Sequence, residues 1–122
     1  MTYIARYHPH IKTGLETYPH LKERFKKKKD YIIKSPIELG EPLKGNLNGL
    51  RSFPFADNFI IIYVVCEECR QLQHQETNNC LQCGTIPDNS VIFLTFGRHD
   101  PTYKIAPSIR DRLEEKEFQV PI

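Results

Sequence analysis

The sequence contains no apolar segment long enough to cross a membrane. Its longest uninterrupted apolar run, Phe59 to Cys66, has eight residues, whereas a membrane-spanning helix needs about 20. The stretch from Met1 to Arg6 lacks the apolar core of a secretory signal peptide, and no internal repeat is present. These absences predict a cytoplasmic protein with no membrane segment.

Tryptophan is absent and the net charge is only +2, but the composition is that of a folded chain. With 122 residues, 39% hydrophobic and 26% charged, we expect a single domain over residues 1–122. So small a net charge does not by itself indicate nucleic-acid binding. The charge is uneven, since residues 1–50 carry ten Lys or Arg and five Asp or Glu. The run Lys26 to Lys29 is interpreted as a solvated helix surface, with a phosphate-binding site as the alternative.

All four cysteines lie within 18 residues, as the C-x2-C pairs Cys66/Cys69 and Cys80/Cys83. Four thiolates that converge on one point are the ligands of a tetrahedral zinc site. The spacing therefore predicts a zinc-knuckle hairpin inserted over residues 66–88. Such a site is structural, because four protein ligands leave no open coordination position. Two disulfides or a redox dithiol are the alternatives, and His74 could replace one thiol.

Apolar periodicity predicts an α+β fold. We expect an N-terminal helical hairpin over residues 11–32 and a C-terminal helix from Pro107 to Lys116. The unbroken apolar run Phe59 to Val65 predicts a central strand covered on both faces, with Tyr63 in the core. A small antiparallel or mixed sheet packed on the helical hairpin is the expected architecture. Its strands are predicted over residues 2–7, 50–55, 59–65 and 90–96.

Three stretches resemble the RelE/ParE toxin superfamily of toxin–antitoxin systems. Residues 42–51, PLKGNLNGLR, resemble the family's Pro-Leu-Lys-Gly-x-Leu-x-Gly-Leu signature before the second strand. Residues 59–65 are similar to its central strand, which ends in an Ile-Tyr pair. Residues 97–104, GRHDPTYK, are similar to its Gly-His-Arg-x-x-x-Tyr ending of the last strand. The resemblance implies a RelE/ParE-like fold.

The resemblance also implies the site residues. RNA-cleaving members bind messenger RNA on the ribosome and cleave it by 2′-OH attack, without a metal. This reaction uses a proton acceptor, a proton donor and cations facing the dianionic transition state. Position by position, the implied catalytic residues are Arg51, Arg98, His99 and Tyr103, and the implied RNA-binding residues are Lys44, Arg51 and Lys104.

The sequence departs from the family pattern at two places. Ile60 stands where RNA-cleaving members often have Arg, and Arg98-His99 reverses the usual His-Arg order. Strand alternation places Arg98 and His99 on opposite faces unless the strand has ended. An imidazole nevertheless suits general acid or base catalysis near neutral pH.

The resemblance implies a toxin that cleaves ribosome-bound mRNA and is neutralised by a cognate antitoxin. Zinc is the only cofactor expected, and catalysis needs none. The alternatives are a ParE-like toxin that inhibits DNA gyrase by binding and an inactive binding module of the family. The absence of Arg at position 60 favours these non-nuclease alternatives.

Overall fold

The computed structural model describes residues 3–47, 49–56, 58–71 and 88–110. Two 3₁₀ turns, Pro19–Leu21 and Gly45–Leu47, accompany five strands and five helices in this part of the chain. The strands are β1 (Ile4–Tyr7), β2 (Glu41–Pro42), β3 (Arg51–Ala56), β4 (Phe59–Val65) and β5 (Ser90–Arg98). The helices are α1 (Pro9–Thr17), α2 (Lys22–Ile32), α3 (Pro36–Leu39), α4 (Cys66–Gln71) and α5 (His99–Arg110).

The five strands form one mixed sheet in the order β1-β5-β4-β3-β2. β1 pairs with β5 in parallel, and the other neighbours are antiparallel. The parallel pairing requires a long connection between β1 and β5, which the chain supplies by running through the helices α1 to α3 and the strands β2 to β4 before it reaches β5. The α+β architecture predicted from the sequence is therefore confirmed.

The helical hairpin α1/α2 covers one face of the sheet, which we call the hairpin face. His8 caps α1, because its Nδ1 accepts a hydrogen bond of 3.0 Å from the backbone N–H of His10. α1 and α2 pack against the sheet through the buried side chains Ile11, Leu15, Phe25 and Ile32.

A second apolar layer covers the other face of the sheet, which we call the α5 face. Here Leu47, Leu50 and Ala106 pack on the strands together with Tyr103. β4 lies between the two layers: Ile61, Tyr63 and Val65 belong to the hairpin face, and Ile60, Ile62 and Val64 belong to the α5 face. Burial on both faces explains why β4 is apolar at every position.

One local prediction from the sequence is wrong. The C-terminal helix begins at His99, immediately after β5, and not at Pro107, which lies inside α5. Proline is favoured at the start of a helix because the N–H groups of the first turn have no partner within the helix. The first turn of α5 begins earlier, at His99, so Pro107 does not mark its start. Residues 111–116 of the predicted helix lie outside the described residues.

Cys66 and Cys69 lie on the short helix α4, which follows β4 directly. β4 and β5 do pair as the two strands that flank the cysteine segment. Most of the predicted insertion, including Cys80 and Cys83, lies outside the described residues. No described helix has the length and hydropathy that a membrane crossing requires.

Candidate functional site

The first turn of α5 brings His99 and Tyr103 together. The two residues are four apart on the helix and so lie on the same side of it. Their ring centroids are 4.7 Å apart, with an interplanar angle of 76°. The polypeptide leaves β5 at Arg98 and enters the helix at His99, so strand alternation no longer governs where these two side chains point.

Tyr103 connects α5 to β3 through a hydrogen bond. Its Oη donates to Oγ of Ser52 at 3.0 Å. Ser52 is 4% exposed, and the Tyr103 ring packs partly buried against the apolar layer of the α5 face. The hydroxyl of Tyr103 is therefore held at a fixed position beside the His99 ring.

His99 is oriented by its neighbour Asp100. Its Nδ1 lies 2.8 Å from Oδ1 of Asp100, and the two side chains are 50% and 84% exposed. With Nδ1 facing a carboxylate, Nε2 is the ring nitrogen suited to take up or release a proton. The arrangement places a solvent-accessible acid or base next to a positioned phenol.

Three of the predicted cationic residues are exposed around this end of the sheet. Lys44 lies just before the 3₁₀ turn Gly45–Leu47, and that turn packs against α5. Lys104 follows Tyr103 on α5 and is exposed. Arg98 is exposed at the end of β5, where its guanidinium carbon lies 5.9 Å from the centroid of the Phe59 ring.

A cleft of about 270 Å³ opens between α1 and α5. Arg98 and Thr102 line one wall, and His10 and Thr13 line the other. Nδ1 of His10 lies 2.8 Å from Oγ1 of Thr95, and burial lowers the pKa of this imidazole. Arg98 therefore borders a polar cleft, while the adjacent His99 contacts Tyr103.

Arg51 lies elsewhere, on the hairpin face. It is directly opposite Tyr63 in the β3/β4 register, and opposed residues share a face of a sheet. Its neighbour Ser52 points to the α5 face, where it meets Tyr103. The structure therefore does not bring the predicted residues Arg51 and Tyr103 together.

The Arg51 guanidinium is engaged in a nearly buried ion pair with Glu68 of α4. Nη2 lies 2.7 Å from Oε2 of Glu68, Nε lies 3.0 and 3.1 Å from the two carboxylate oxygens, and Nη1 donates to the carbonyl of Gly40 at 2.6 Å. The two side chains are 10% and 13% exposed. In this arrangement the positive charge of Arg51 is neutralised by Glu68 inside the protein.

Tyr63 is a core residue, as predicted from its place on the central strand. It is fully buried, and its Oη donates to the carbonyl of Pro36 at 2.6 Å. Burial raises the pKa of this phenol, and the nearby Arg51 opposes that shift only in part. Gly40 is required beside it, because a Cβ at this position would lie 2.0 Å from the Tyr63 hydroxyl.

Two residues of this region were missed in the sequence, Ser52 and Glu68. Ser52 follows Arg51 directly, so alternation along β3 gives the signal that the two face opposite sides. Glu68 lies inside the first C-x2-C pair, where it reads as part of a polar turn. Only the close approach of α4 to β3 reveals that it is the partner of Arg51.

Within the described ranges, no group of three or more His, Cys, Asp or Glu is placed to hold a metal ion. Cys66 and Cys69 are both buried, one helical turn apart on α4. The other two predicted ligands, Cys80 and Cys83, lie outside those ranges.

Comparison with known proteins supports the fold. No family model and no curated protein matches the sequence. A chain in the crystal structure of the toxin–antitoxin complex RelBE2 from Mycobacterium tuberculosis is similar in structure, with a TM-score of 0.56 and 15% sequence identity. The match covers 80% of the present chain and 99% of that chain. The chain therefore has the RelE-like α+β fold that its sequence motifs imply.

Proposed function

We propose that this protein is the toxin of a toxin–antitoxin pair and that it cleaves messenger RNA. The observation that carries the proposal is the His99–Tyr103 pair, at 4.7 Å between ring centroids, on the α5 face of a RelE-like sheet. An exposed imidazole beside a positioned phenol supplies the two kinds of proton-transfer group that phosphodiester cleavage uses.

In the proposed reaction, the 2′-OH of a ribose attacks the adjacent phosphorus, and the bond to the 5′-oxygen breaks. Nε2 of His99 accepts the hydroxyl proton, and the Tyr103 hydroxyl exchanges its hydrogen bond to Ser52 for one to the departing 5′-oxygen, which it protonates. Lys44 and Lys104 are the exposed cations on this side that would attract the RNA backbone, and Arg98 would add to them from the end of β5, beside Phe59. This chemistry requires no metal, and ribosome-bound mRNA is the proposed substrate.

The proposed protein partner is an antitoxin. The similar chain was solved in a toxin–antitoxin complex, which supports assembly of the present chain with a cognate partner. An antitoxin that covers the first turn of α5 would block access of RNA to His99 and Tyr103. Neutralisation would then follow from occlusion of the site.

A non-nuclease toxin that inhibits DNA gyrase, or an inactive binding module, is the second candidate. The observation that favours it is that no described residue of β3, β4 or β5 on the α5 face is a cation. Ile60 is 5% exposed within the apolar layer, and Arg51 is paired with Glu68 on the opposite face. If cleavage requires a cation at position 60 or an unpaired Arg51, this protein would bind its target without cleaving RNA.

Induced expression distinguishes the candidates. We expect growth arrest together with new transcript 5′ ends inside translated messages, and we expect Tyr103→Phe to abolish both. Sequencing of 5′ ends before and after induction measures this. Tyr7→Phe removes a hydroxyl on the hairpin face, away from His99 and from Ser52, and is the matched control. Arrest without new ends would move the proposal to gyrase inhibition, and no arrest would leave the binding module.

We also propose that the four cysteines bind one structural zinc ion. Support comes from the spacing of Cys66, Cys69, Cys80 and Cys83 and from the burial of the first two on one turn of α4. α4 is fixed to the rest of the domain by the Glu68 contact with Arg51 and by a hydrogen bond of 3.3 Å from Tyr3 to Glu67. A metal at α4 would therefore anchor the cysteine segment to the sheet.

Protein purified without added metal is expected to contain about one zinc per chain. Elemental analysis measures the content, and thiol titration counts reactive cysteines before and after chelation. Cys69→Ser should lose most of the zinc, whereas His74→Gln should retain it. A metal-free protein with four reactive thiols, or one with two disulfides, would contradict the zinc proposal.

A further inference from the structure

α2 carries a basic stripe that the proposed active site does not use. Arg24, Lys27, Lys28 and Tyr31 follow the spacing i, i+3, i+4, i+7, which places them on one side of the helix. Arg24, Lys27 and Tyr31 are exposed, and Lys28 is half-buried. The acidic residues of α2, Glu23 and Asp30, fall outside this spacing, and Asp30 pairs with Lys29 at 2.7 Å.

The stripe ends on two aromatic rings. Tyr31 is 50% exposed, and its ring centroid lies 6.0 Å from that of Phe53 on β3. The Lys28 ammonium lies 6.0 Å from the Tyr31 centroid and 5.8 Å from the Phe53 centroid. These distances are within the range of a cation–π interaction. Lys28 thus interacts with both the Tyr31 ring and the Phe53 ring at the protein surface.

Sites that bind single-stranded nucleic acids combine a row of cations with an exposed aromatic ring. The backbone phosphates are attracted by the cations, and a base stacks on the ring. The stripe from Arg24 to Tyr31 is about 10 Å long at 1.5 Å per residue. It can therefore contact consecutive phosphates of one strand and one base at its end.

We propose that Arg24, Lys27, Lys28 and the Tyr31/Phe53 rings form a binding site for single-stranded RNA. The site lies on the hairpin face, whereas the His99–Tyr103 pair lies on the α5 face. The site extends the proposed function by adding a second RNA contact. It rests on that function only in that the bound single strand is taken to be RNA.

The structure favours RNA over an anionic membrane as the partner. Phe25 and Ile32 of α2 are fully buried against the sheet. Tyr31 is then the one exposed aromatic side chain of α2, which is too little to form an apolar face that inserts into lipid. An acidic protein would use the cations but would not need the half-exposed Tyr31 ring. Stacking on Tyr31 therefore distinguishes RNA from an acidic protein.

The test uses the full chain and a fluorescein-labelled 12-nucleotide 2′-O-methyl oligouridine, which lacks the attacking hydroxyl and cannot be cleaved by the proposed reaction. Fluorescence anisotropy gives the dissociation constant between 50 and 300 mM salt. We expect a Lys27→Gln/Lys28→Gln variant to bind about 20-fold more weakly at 0.1 M salt, with a salt slope shallower by about 1.4. Tyr31→Leu should weaken binding by about 5- to 100-fold with an unchanged salt slope.

The matched control is Lys12→Gln/Lys22→Gln, which removes the same charge from exposed positions outside the stripe. An equal loss in the control would show diffuse electrostatics and overturn the proposal, and so would unchanged binding by Tyr31→Leu. Equal displacement of the probe by poly-glutamate would assign the stripe to acidic proteins instead. Circular dichroism checks that each variant is folded.

The result of the binding test does not depend on whether the protein cleaves RNA. If stripe variants lose binding while the wild type cleaves no RNA, the binding site stands and the proposed nuclease fails. If His99→Ala abolishes cleavage while stripe variants bind normally, the nuclease stands and the stripe proposal fails.

Discussion

Replacing His99 with alanine is expected to lower the rate of RNA cleavage by about 10²- to 10⁴-fold, the contribution typical of a general acid or base. The reason is geometric. Nδ1 of His99 faces Asp100 at 2.8 Å, and the ring contacts that of Tyr103, which leaves Nε2 for proton transfer. Single-turnover cleavage of a defined mRNA on programmed ribosomes gives the rate, and primer extension identifies the cut.

Tyr103→Phe separates chemistry from packing in the same assay. The phenyl ring keeps its contacts with His99 and the apolar layer, while the hydroxyl and its 3.0 Å bond to Ser52 are lost. A hydroxyl that stabilises the transition state should cost about 10²- to 10³-fold in rate. Ser52→Ala removes only the positioning bond, so it should have a smaller effect on the rate and a similar effect on stability, about 1 kcal/mol.

His20→Ala is the matched control, because His20 is also exposed but lies in the 3₁₀ turn between α1 and α2. Its rate should equal that of the wild type. A His99→Ala protein that cleaves within threefold of the wild type would remove this imidazole from the mechanism. If Tyr103→Phe then loses only stability, the non-nuclease candidate becomes the better account.

The central part of the fold could be predicted because its residues have few alternatives. An unbroken apolar run of strand-forming residues must be covered on both faces, and β4 lies between the two apolar layers. The stretch 42–51 resembles a family signature before a strand, and β3 begins at Arg51. The prediction of β4 and the prediction of the start of β3 both depend only on neighbouring residues. Such local patterns determine which faces of a short segment can be buried.

The place of Arg51 could also have been predicted from alternation. Arg51, Phe53 and Phe55 share one face of β3 by the period of two, and both phenylalanines pack in the apolar layer of the hairpin face. A basic residue on an apolar face needs a partner. The partner itself, Glu68, could not be found in the sequence, because it reaches Arg51 from a helix that begins after the next strand.

The start of α5 was missed for a different reason. The sequence HDPTYK offers an acidic residue and a proline in a first turn, which are helix-start signals. The family motif, however, assigns this stretch to the end of a strand. The strand and the helix meet without a loop at Arg98 and His99. The same junction determines that His99 faces Tyr103, so the geometry of the site depended on the boundary that was predicted wrongly.

Arg51→Met is expected to destabilise the protein by about 3–5 kcal/mol, because it leaves the Glu68 carboxylate nearly buried without its counter-charge. The Glu68 side chain is 13% exposed, and Arg51 supplies the three contacts of 2.7 to 3.1 Å that satisfy its oxygens. Urea denaturation followed by circular dichroism gives the free energy of unfolding. The control Asp30→Asn breaks an ion pair whose acid is 64% exposed and should cost less than about 1 kcal/mol.

The double variant Arg51→Met/Glu68→Leu shows what the pair contributes beyond its own desolvation. Since both charges are removed together, the protein should recover most of the stability that Arg51→Met loses. Cleavage by the double variant then tests the two roles of Arg51. The guanidinium is on the face opposite Tyr103, so a stable double variant should cleave RNA at close to the wild-type rate. A large loss of rate in this folded variant would instead show that Arg51 leaves Glu68 to act on RNA, and α4 would then control access to a catalytic cation.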